Sequence, residues 1–373
     1  MACKQKGSCH SCTFKIIKSR NKFLPSNGVW SGNINDSSYT TNIFRAETFY
    51  KRFNFWSSKI MKKVLFCGTT NLDYFIYSKL LPVEGVTIKG NFEQNAGGKG
   101  ANQAVACSKL GNKPFFYTRL SNDMAGRYLY SSLVSDGVKT KAIKIVKNNK
   151  SGVALIFVDE KARNLIGIAP GLNEKMPKTE ISKALKLLKK KDIVVCEMGI
   201  PIDSIKEILR LSKIKQLITI FNPAPVTGKL SKKDFKKVDY ITPNEHEAFE
   251  LTNIKIKNKN NAKKAAKKLK NFGCKNVIIT LGESGAYALI DNNELYINAP
   301  KIKAIDTTGA GDAFNGALAF GLSKGLSGKD ALKLSILVGS LSTTKKGCQP
   351  AMPTLNELIR SKLIKKNEFS KLF

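Results

Sequence analysis

From Val64 onward, short and almost wholly apolar runs alternate with longer stretches whose apolar residues recur every three to four positions. The runs 64–67, 115–120, 193–198, 217–221, 240–242 and 277–281 read as strands buried on both faces. The intervening stretches 100–110, 124–136, 180–190, 203–213 and 261–272 read as amphipathic helices. Strands with no polar side need cover on both faces, so the pattern predicts an α/β fold with a mostly parallel sheet between helical layers. Two segments depart from this rhythm. Residues 85–94 and 152–168 are strand-like but more polar and alternating, which predicts a small separate sheet exposed on one face. A β appendage on an α/β core suits a site that closes over its ligand.

Residues 1–60 are of another kind. They contain nine Ser, ten basic and two acidic residues, and no sustained periodicity. That composition fits an organelle-targeting peptide, a disordered tail, or an extension ahead of a start at Met61. The sequence leaves the three open. The expected division is an N-terminal extension at 1–60 and one folded domain at 61–373, with lid segments near 85–94 and 152–168.

The chain has 63 basic and 28 acidic residues and a formal net charge of +35, which raises the question of a polyanion partner. Only eight of the basic residues are Arg, whereas readers of phosphates and bases favour its planar fork. The charge is spread along the chain and reads as a solvated Lys coat, so specific nucleic-acid binding is not expected. No run of 18 apolar residues is present, and no membrane span is expected. Of eight cysteines, only Cys9-His10-Ser11-Cys12 has metal-like spacing, and no second pair completes a zinc site. The other thiols suit the core of a protein in a reducing compartment. A cytoplasmic setting is expected, with organelle targeting by residues 1–60 as the alternative.

Chemistry concentrates in Gly-rich segments. Asp306-Thr307-Thr308-Gly309-Ala310-Gly311-Asp312 leads into a helical stretch at 313–322. Glycines at a helix start let backbone N–H groups approach an anion, and the helix dipole favours negative charge there. Asp312 could take a hydroxyl proton during phosphoryl transfer. The same residues would also make an ordinary helix cap. Gly97-Gly98-Lys99-Gly100-Ala101-Asn102-Gln103-Ala104 puts Lys and Asn beside flexible backbone, where they can bond vicinal hydroxyls. Asn71-Leu72-Asp73 lies just past the first strand, where Asn71 and Asp73 face the same way if extended, and loops after parallel strands are where open α/β sheets bind ligands. No G-x-x-x-x-G-K-[ST] occurs, no G-x-G-x-x-G follows the first strand, and His stands only at 10 and 246. Walker-type, dinucleotide and His-based chemistries are therefore disfavoured.

Taken together, these residues resemble the ribokinase branch of the pfkB carbohydrate kinase family, over about residues 61–363. Asn222-Pro223-Ala224-Pro225, Ile241-Thr242-Pro243-Asn244-Glu245, Thr280-Leu281-Gly282-Glu283-Ser284-Gly285 and Lys345-Lys346-Gly347-Cys348-Gln349-Pro350 follow in the family's order. The resemblance implies a three-layer α/β/α sandwich with a β-sheet lid, and ATP-dependent phosphorylation of D-ribose at its 5-hydroxyl. It implies Asp312 as general base and Gly309, Ala310 and Gly311 as an anion hole. Asn71, Asp73, Gly98, Lys99 and Asn102 would bind the sugar. Asn222, Thr280, Gly282, Gly285 and Gly311 would contact ATP, and Asn244 and Glu247 would help place magnesium and phosphate. An activating potassium ion would lie at Asp306, Thr308, Ser342, Lys345, Gly347 and Ala351. His246 reads as a solvated helix residue, and a homodimer through the lid is implied.

Two departures stand out. Gly199 occupies the position of a Glu that touches ribose in the family. Glu197 stands two residues earlier, and either it substitutes or the sugar has no carboxylate partner there. Ser121-Asn122-Asp123-Met124-Ala125-Gly126 replaces a G-D-D-x-x-G turn and reads as a tolerated variant. The Gly199 departure motivates a second reading, a related kinase acting on deoxyribose, another sugar or a nucleoside. A basic nucleic-acid binder built on a kinase fold ranks below both.

Overall fold

The alternation of Val64 and Phe66 with Leu65 and Cys67 along one strand feeds two separate apolar clusters, one on each side of the sheet. This is the direct consequence of a strand whose side chains point alternately to opposite faces. The computed structural model describes residues 61–363 apart from 162 and 362. In chain order its first elements are β1 (Val64–Cys67), β2 (Asn71–Ser78), β3 (Gly90–Gly97), α1 (Lys99–Lys109), β4 (Phe115–Tyr117), β5 (Arg119–Ser121) and α2 (Met124–Ser135). Then come β6 (Lys144–Val146), β7 (Gly152–Val158), β8 (Asn164–Ala169), α3 (Lys178–Leu185), β9 (Ile193–Glu197), α4 (Ile202–Ile214) and β10 (Ile218–Asn222). The remainder is α5 (Lys232–Phe235), β11 (Tyr240–Ile241), α6 (Glu245–Thr252), α7 (Lys259–Phe272), β12 (Asn276–Thr280), β13 (Ala286–Ile290), β14 (Asn293–Ile297), α8 (Ala310–Ser323), α9 (Gly328–Ser342) and α10 (Leu355–Arg360).

Eight strands form the central sheet in the order β14-β13-β12-β11-β10-β9-β1-β4. All neighbours from β12 to β4 are parallel, and only the β12-β13-β14 edge is antiparallel. One cluster packs Phe66, Val195 and Ile220 against Ala104 of α1, Phe320 of α8 and Leu334 of α9. The other packs Leu65, Val194 and Ile279 against Leu185 of α3, Ile208 of α4 and Leu269 of α7. The three-layer α/β/α expectation is therefore met. Among the described residues, no helix is long and apolar enough to cross a membrane.

A second sheet, ordered β3-β2-β7-β8, forms the appendage. Its register places Asn71 and Asp73 on one face and Leu72, Tyr74 and Ile76 on the other. The inner part of the second face packs on α2 through Leu72, Ala96, Ala125 and Leu129. Its outer part leaves Phe92 61%, Leu155 53% and Leu165 51% exposed.

Some expectations need correction. Asn71-Leu72-Asp73 is not a loop but opens β2, because its neighbours Gly97 and Gly152 supply ladder partners on both sides. The run 115–120 is two strands: β4 joins the central sheet, while β5 pairs with β6 in a separate ribbon. The lid strand expected at 85–94 runs instead over Gly90–Gly97, and 152–168 is a hairpin of β7 and β8. The helix expected at 180–190 ends at Leu185, and Leu188 is buried from the turns that follow. The Cys9–Cys12 spacing and the character of residues 1–60 lie outside the described residues.

Candidate active site

The C-terminal ends of β1, β9, β10, β11 and β12 lie along one edge of the parallel sheet, where the chain leaves each strand for a loop. In parallel α/β sheets such edges hold the ligand-binding crevice. The starts of α1 and α8 reach the same place, since Asn102 and Gln103 of α1 bond directly to Asp312 of α8.

Asp312 lies in the first turn of α8 and is buried. Asn102 Nδ2 donates to its Oδ2 at 2.9 Å, and Gln103 Nε2 donates to its Oδ1 at 3.0 Å. Burial raises the Asp312 carboxyl above its ordinary 3.8; the Lys99 charge and the two amides oppose that rise. A buried carboxyl whose acidity is weakened by burial, with donors on both oxygens favouring its charged form, suits a general base.

Gly309 caps α8 at φ 75°, in the left-handed region. A Cβ there would stand 2.1 Å from Cys348 Sγ, so both backbone and packing demand glycine. The N–H groups of Gly311 and Asp312 have no carbonyl partner within the helix, and Gly311 is exposed. The turn Gly309-Ala310-Gly311 thus opens a helix start whose free N–H groups, those of Gly311 and Asp312, lie beside a buried carboxylate, while the Ala310 N–H is taken by the Thr307 carbonyl at 3.2 Å.

Of the residues expected to bind sugar, Asn71 and Asp73 sit on the lid face opposite the α2 contact, and Gly98 and Lys99 begin α1. Asn71 Oδ1 accepts from Asn173 Nδ2 at 2.8 Å. Burial pushes the Asp73 carboxyl up to about 7, against the attraction of Lys99. The Lys99 charge also acts on Glu197, Glu247 and Asp312, so one ammonium serves four carboxyl groups.

Glu197 is wholly buried, and its oxygens accept the N–H groups of Thr69 and Gly199, each at 2.5 Å. It joins the turns that follow β1 and β9. A Cβ on Gly199 would lie 2.7 Å from Glu197 Oε2. The two positions are therefore complementary: the inward carboxylate fills the space that a side chain at 199 would need.

On the other flank, Asn222 ends β10, and its Oδ1 accepts from Gln103 while its Nδ2 donates to the Thr242 carbonyl. Asn244 and Glu247 form a capping box at the start of α6, with Asn244 Nδ2 also 3.0 Å from Glu247 Oε1. Burial pushes the Glu247 carboxyl up to about 7. Buried carboxylate oxygen with spare lone pairs is hard-cation chemistry, so the pair fits magnesium. His246 is exposed, as expected, and its Nε2 lies 3.4 Å from Glu250 Oε1. Thr280 ends β12, and Gly282 and Gly285 frame the turn into β13.

Asp306 accepts N–H groups from Thr308 and from Gly347, both at 2.9 Å. Burial pushes its carboxyl up, but the Thr308 and Gly347 bonds and the Lys346 charge outweigh that and hold it below its ordinary value. Asp306 thereby fastens the loop before α8 to the loop after α9. Ser342 donates its hydroxyl to Gly339, and Lys345 pairs with Glu357, so these positions and Ala351 would offer a potassium ion mainly backbone carbonyls. The variant turn 121–126 is sound: Asp123 caps α2 and also accepts from the Ser151 N–H and hydroxyl.

Several residues of the site carried no assigned role in the sequence. Gln103 and Gln349 lie inside segments singled out by motif, and an amide beside a candidate base was the available signal. Asn173, which holds Thr70 and Asn71 across about 100 residues, had none. Cysteines 67, 107, 196 and 274 are free and buried, as expected, whereas Cys348, also free, departs from that expectation and is only partly buried, because it lies in the loop after α9 rather than in the core.

The pattern of the pfkB family carbohydrate kinases matches residues 61–355. The chain is 33% identical over 318 residues to a ribokinase of Schizosaccharomyces pombe, covering 82% of this chain and 100% of that one. It is 32% identical over 291 residues to a deoxyribokinase of Salmonella typhi, covering 78% and 95%. Among solved structures, Arabidopsis thaliana ribokinase complexed with ribose and ATP aligns with a TM-score of 0.73 and 28% identity, over 80% of this chain and 98% of that one. Thermotoga maritima ribokinase aligns at 0.71 and 32%, with the same coverage.

Proposed function

The chain belongs to the pfkB family of carbohydrate kinases, and from that premise we propose that it transfers the γ-phosphoryl group of ATP to the 5-hydroxyl of D-ribose. The observation that carries this reading is the buried Asp312 carboxylate, held by two amides at the open, N–H-rich start of α8. The sugar 5-hydroxyl gives its proton to Asp312 as its oxygen attacks the γ-phosphorus. The bond to the β-phosphate oxygen breaks, and ADP leaves. Gly309, Ala310 and Gly311 stabilise the charge on the transferring group.

Asn71, Asp73, Gly98, Lys99 and Asn102 hold the sugar hydroxyls, and Asn222, Thr280, Gly282 and Gly285 line the nucleotide side. Asn244 and Glu247 would hold magnesium that arrives with ATP, whose charge neutralises the phosphates. Asp306 and the carbonyls of Thr308, Ser342, Lys345, Gly347 and Ala351 would hold an activating potassium ion. The lid sheet excludes water, the competing acceptor. Its exposed outer face, with Phe92, Leu155 and Leu165, supports pairing of two chains through the lid.

Gly199 favours a second reading. No carboxylate projects from this position, and Glu197 is turned inward, so one sugar hydroxyl has no acidic partner here. A site that does not bond a hydroxyl discriminates weakly against the sugar lacking it. Deoxyribose is therefore the alternative substrate, as the name of one relative suggests. Steady-state kcat/KM for ribose, deoxyribose, other pentoses and nucleosides, with ATP and with or without potassium, decides between them. Ribose is expected to lead; a ribose value below that of deoxyribose replaces the first reading with the second, and turnover of none rejects both.

A further inference from the structure

We propose that Gln103 is a positioning residue for phosphoryl transfer: its amide fixes Asp312 and ties that carboxylate to Asn222 on the nucleotide flank. The inference rests on the reading of Asp312 as general base. Gln103 is 1% exposed, and its Nε2 lies 3.0 Å from both Asp312 Oδ1 and Asn222 Oδ1. One amide nitrogen carries two hydrogens, and both are committed here. The orientation is dictated by chemistry. An ionised carboxylate only accepts, so the nitrogen of Gln103, not its oxygen, must face Asp312.

The same polarity then passes through the neighbours. Asn222 turns its oxygen to Gln103 and donates its nitrogen to the Thr242 carbonyl at 3.2 Å. On the other carboxylate oxygen, Asn102 donates to Asp312 and accepts from Gln349 Nε2 at 3.0 Å. Asp312 is thus gripped at both oxygens by adjacent residues of α1. Two lone pairs remain, enough to receive a substrate hydroxyl. Asn102 has a spare hydrogen with which to touch a sugar as well, whereas Gln103 has none. Its two donors therefore act through Asp312 and Asn222.

Fixing a carboxylate by donors stabilises its charged form and restricts its rotation. The other charged or titratable groups acting on Asp312 are Lys99 at the start of α1, Glu247 on α6 and Cys348 on the loop after α9. None of these bonds to Asp312 within hydrogen-bond distance. Removal of Gln103 should therefore register as a change in the titration of Asp312 itself.

The test uses the full chain and compares Gln103→Met, which keeps the volume and removes both donors, with Gln103→Asn, which withdraws the amide by one methylene. Expected are a fall in kcat of about 10- to 100-fold, a shift of the acid limb of the kcat–pH profile to higher pH, and a sugar KM changed by less than about threefold. Should Gln103→Met fail to give a cooperative thermal transition, Gln103→Asn carries the same three readouts. An unmoved acid limb, or a loss that appears in sugar KM alone, overturns the proposal, because packing damage would not retune the base. Asp312→Asn separates the two layers of inference. If that variant stays active, the base reading fails; if it is inactive while the Gln103 variants keep the wild-type profile, only the positioning role fails.

Discussion

Asn102 Nδ2 donates to Asp312 Oδ2 at 2.9 Å across 210 positions of sequence. The first residue belongs to the Gly-rich start of α1, the second to that of α8, and the bond joins the two motifs into one site. Buried hydrogen bonds to charged groups are among the stronger side-chain interactions, contributing about 1.5–3 kcal/mol each. Replacing Asp312 by Asn keeps the shape and removes the proton acceptor. Turnover should fall by about 10² to 10⁴, while calorimetric ATP affinity stays within a few-fold of wild type; activity near normal would exclude Asp312 as the base.

The acidity of the site sets a pH window for activity. Burial raises Asp312, so the acid limb of the kcat–pH profile should lie above 3.8, the ordinary aspartate value. A rate already constant from about pH 4 upward would contradict that environment.

Stability should respond to pH in a definite direction. Asp73 is raised from 3.8 to about 7 and Glu247 from 4.5 to about 7, so between those values the folded chain binds more protons than the unfolded one. Stability from these groups is complete below the unfolded values and is lost as pH rises through about 7. Asp73→Asn should therefore show a smaller drop in urea-unfolding free energy than wild type between about pH 5 and pH 8. An equal drop in both proteins would assign Asp73 no part in it.

Gly309→Ala combines a left-handed backbone with a collision at Cys348 Sγ. The backbone term alone is roughly 1–2 kcal/mol, and the impaired approach at the anion hole should lower kcat at least about tenfold. Adding Cys348→Gly should restore part of the melting temperature and little of the rate. Full recovery of both would mean that the collision, not the backbone, was the whole effect.

Glu197 is a buried carboxylate that ties together the turns after β1 and β9. Glu197→Ala would leave the buried Thr69 N–H and the partly buried Gly199 N–H without their acceptor, at a cost of about 1–3 kcal/mol. Denaturant unfolding should show that loss with the slope unchanged, whereas a neutral result would mean that water replaces the carboxylate.

Much of this was readable in advance because periodicity is a local property. The strand Val64–Cys67 was legible to the residue, since four apolar positions on two buried faces admit no other register. The Gly-rich starts of α1 and α8 were legible for the same reason: glycine and helical spacing lie within a few residues of each other. The strand β2 was not, because Asn71 and Asp73 look like loop residues until the ladder with β3 and β7 gives their backbone partners. Nor was the break between β4 and β5, which depends on which distant strand each half finds.

Sequence by itself determined the α/β class, the positions of the motif glycines and the identity of Asp312 as a candidate base. It also showed a Glu at 197 in place of one at 199, without showing where its carboxylate points. Only the tertiary structure decided that Glu197 turns inward onto Thr69 and Gly199, and that Gln103 grips Asp312 and Asn222 together. The physical reason is one of range. Backbone conformation and amphipathicity are fixed over a turn or two of chain, but hydrogen-bond partners for a buried polar group are chosen among whatever the fold brings within 3 Å, here from residues more than 100 positions apart.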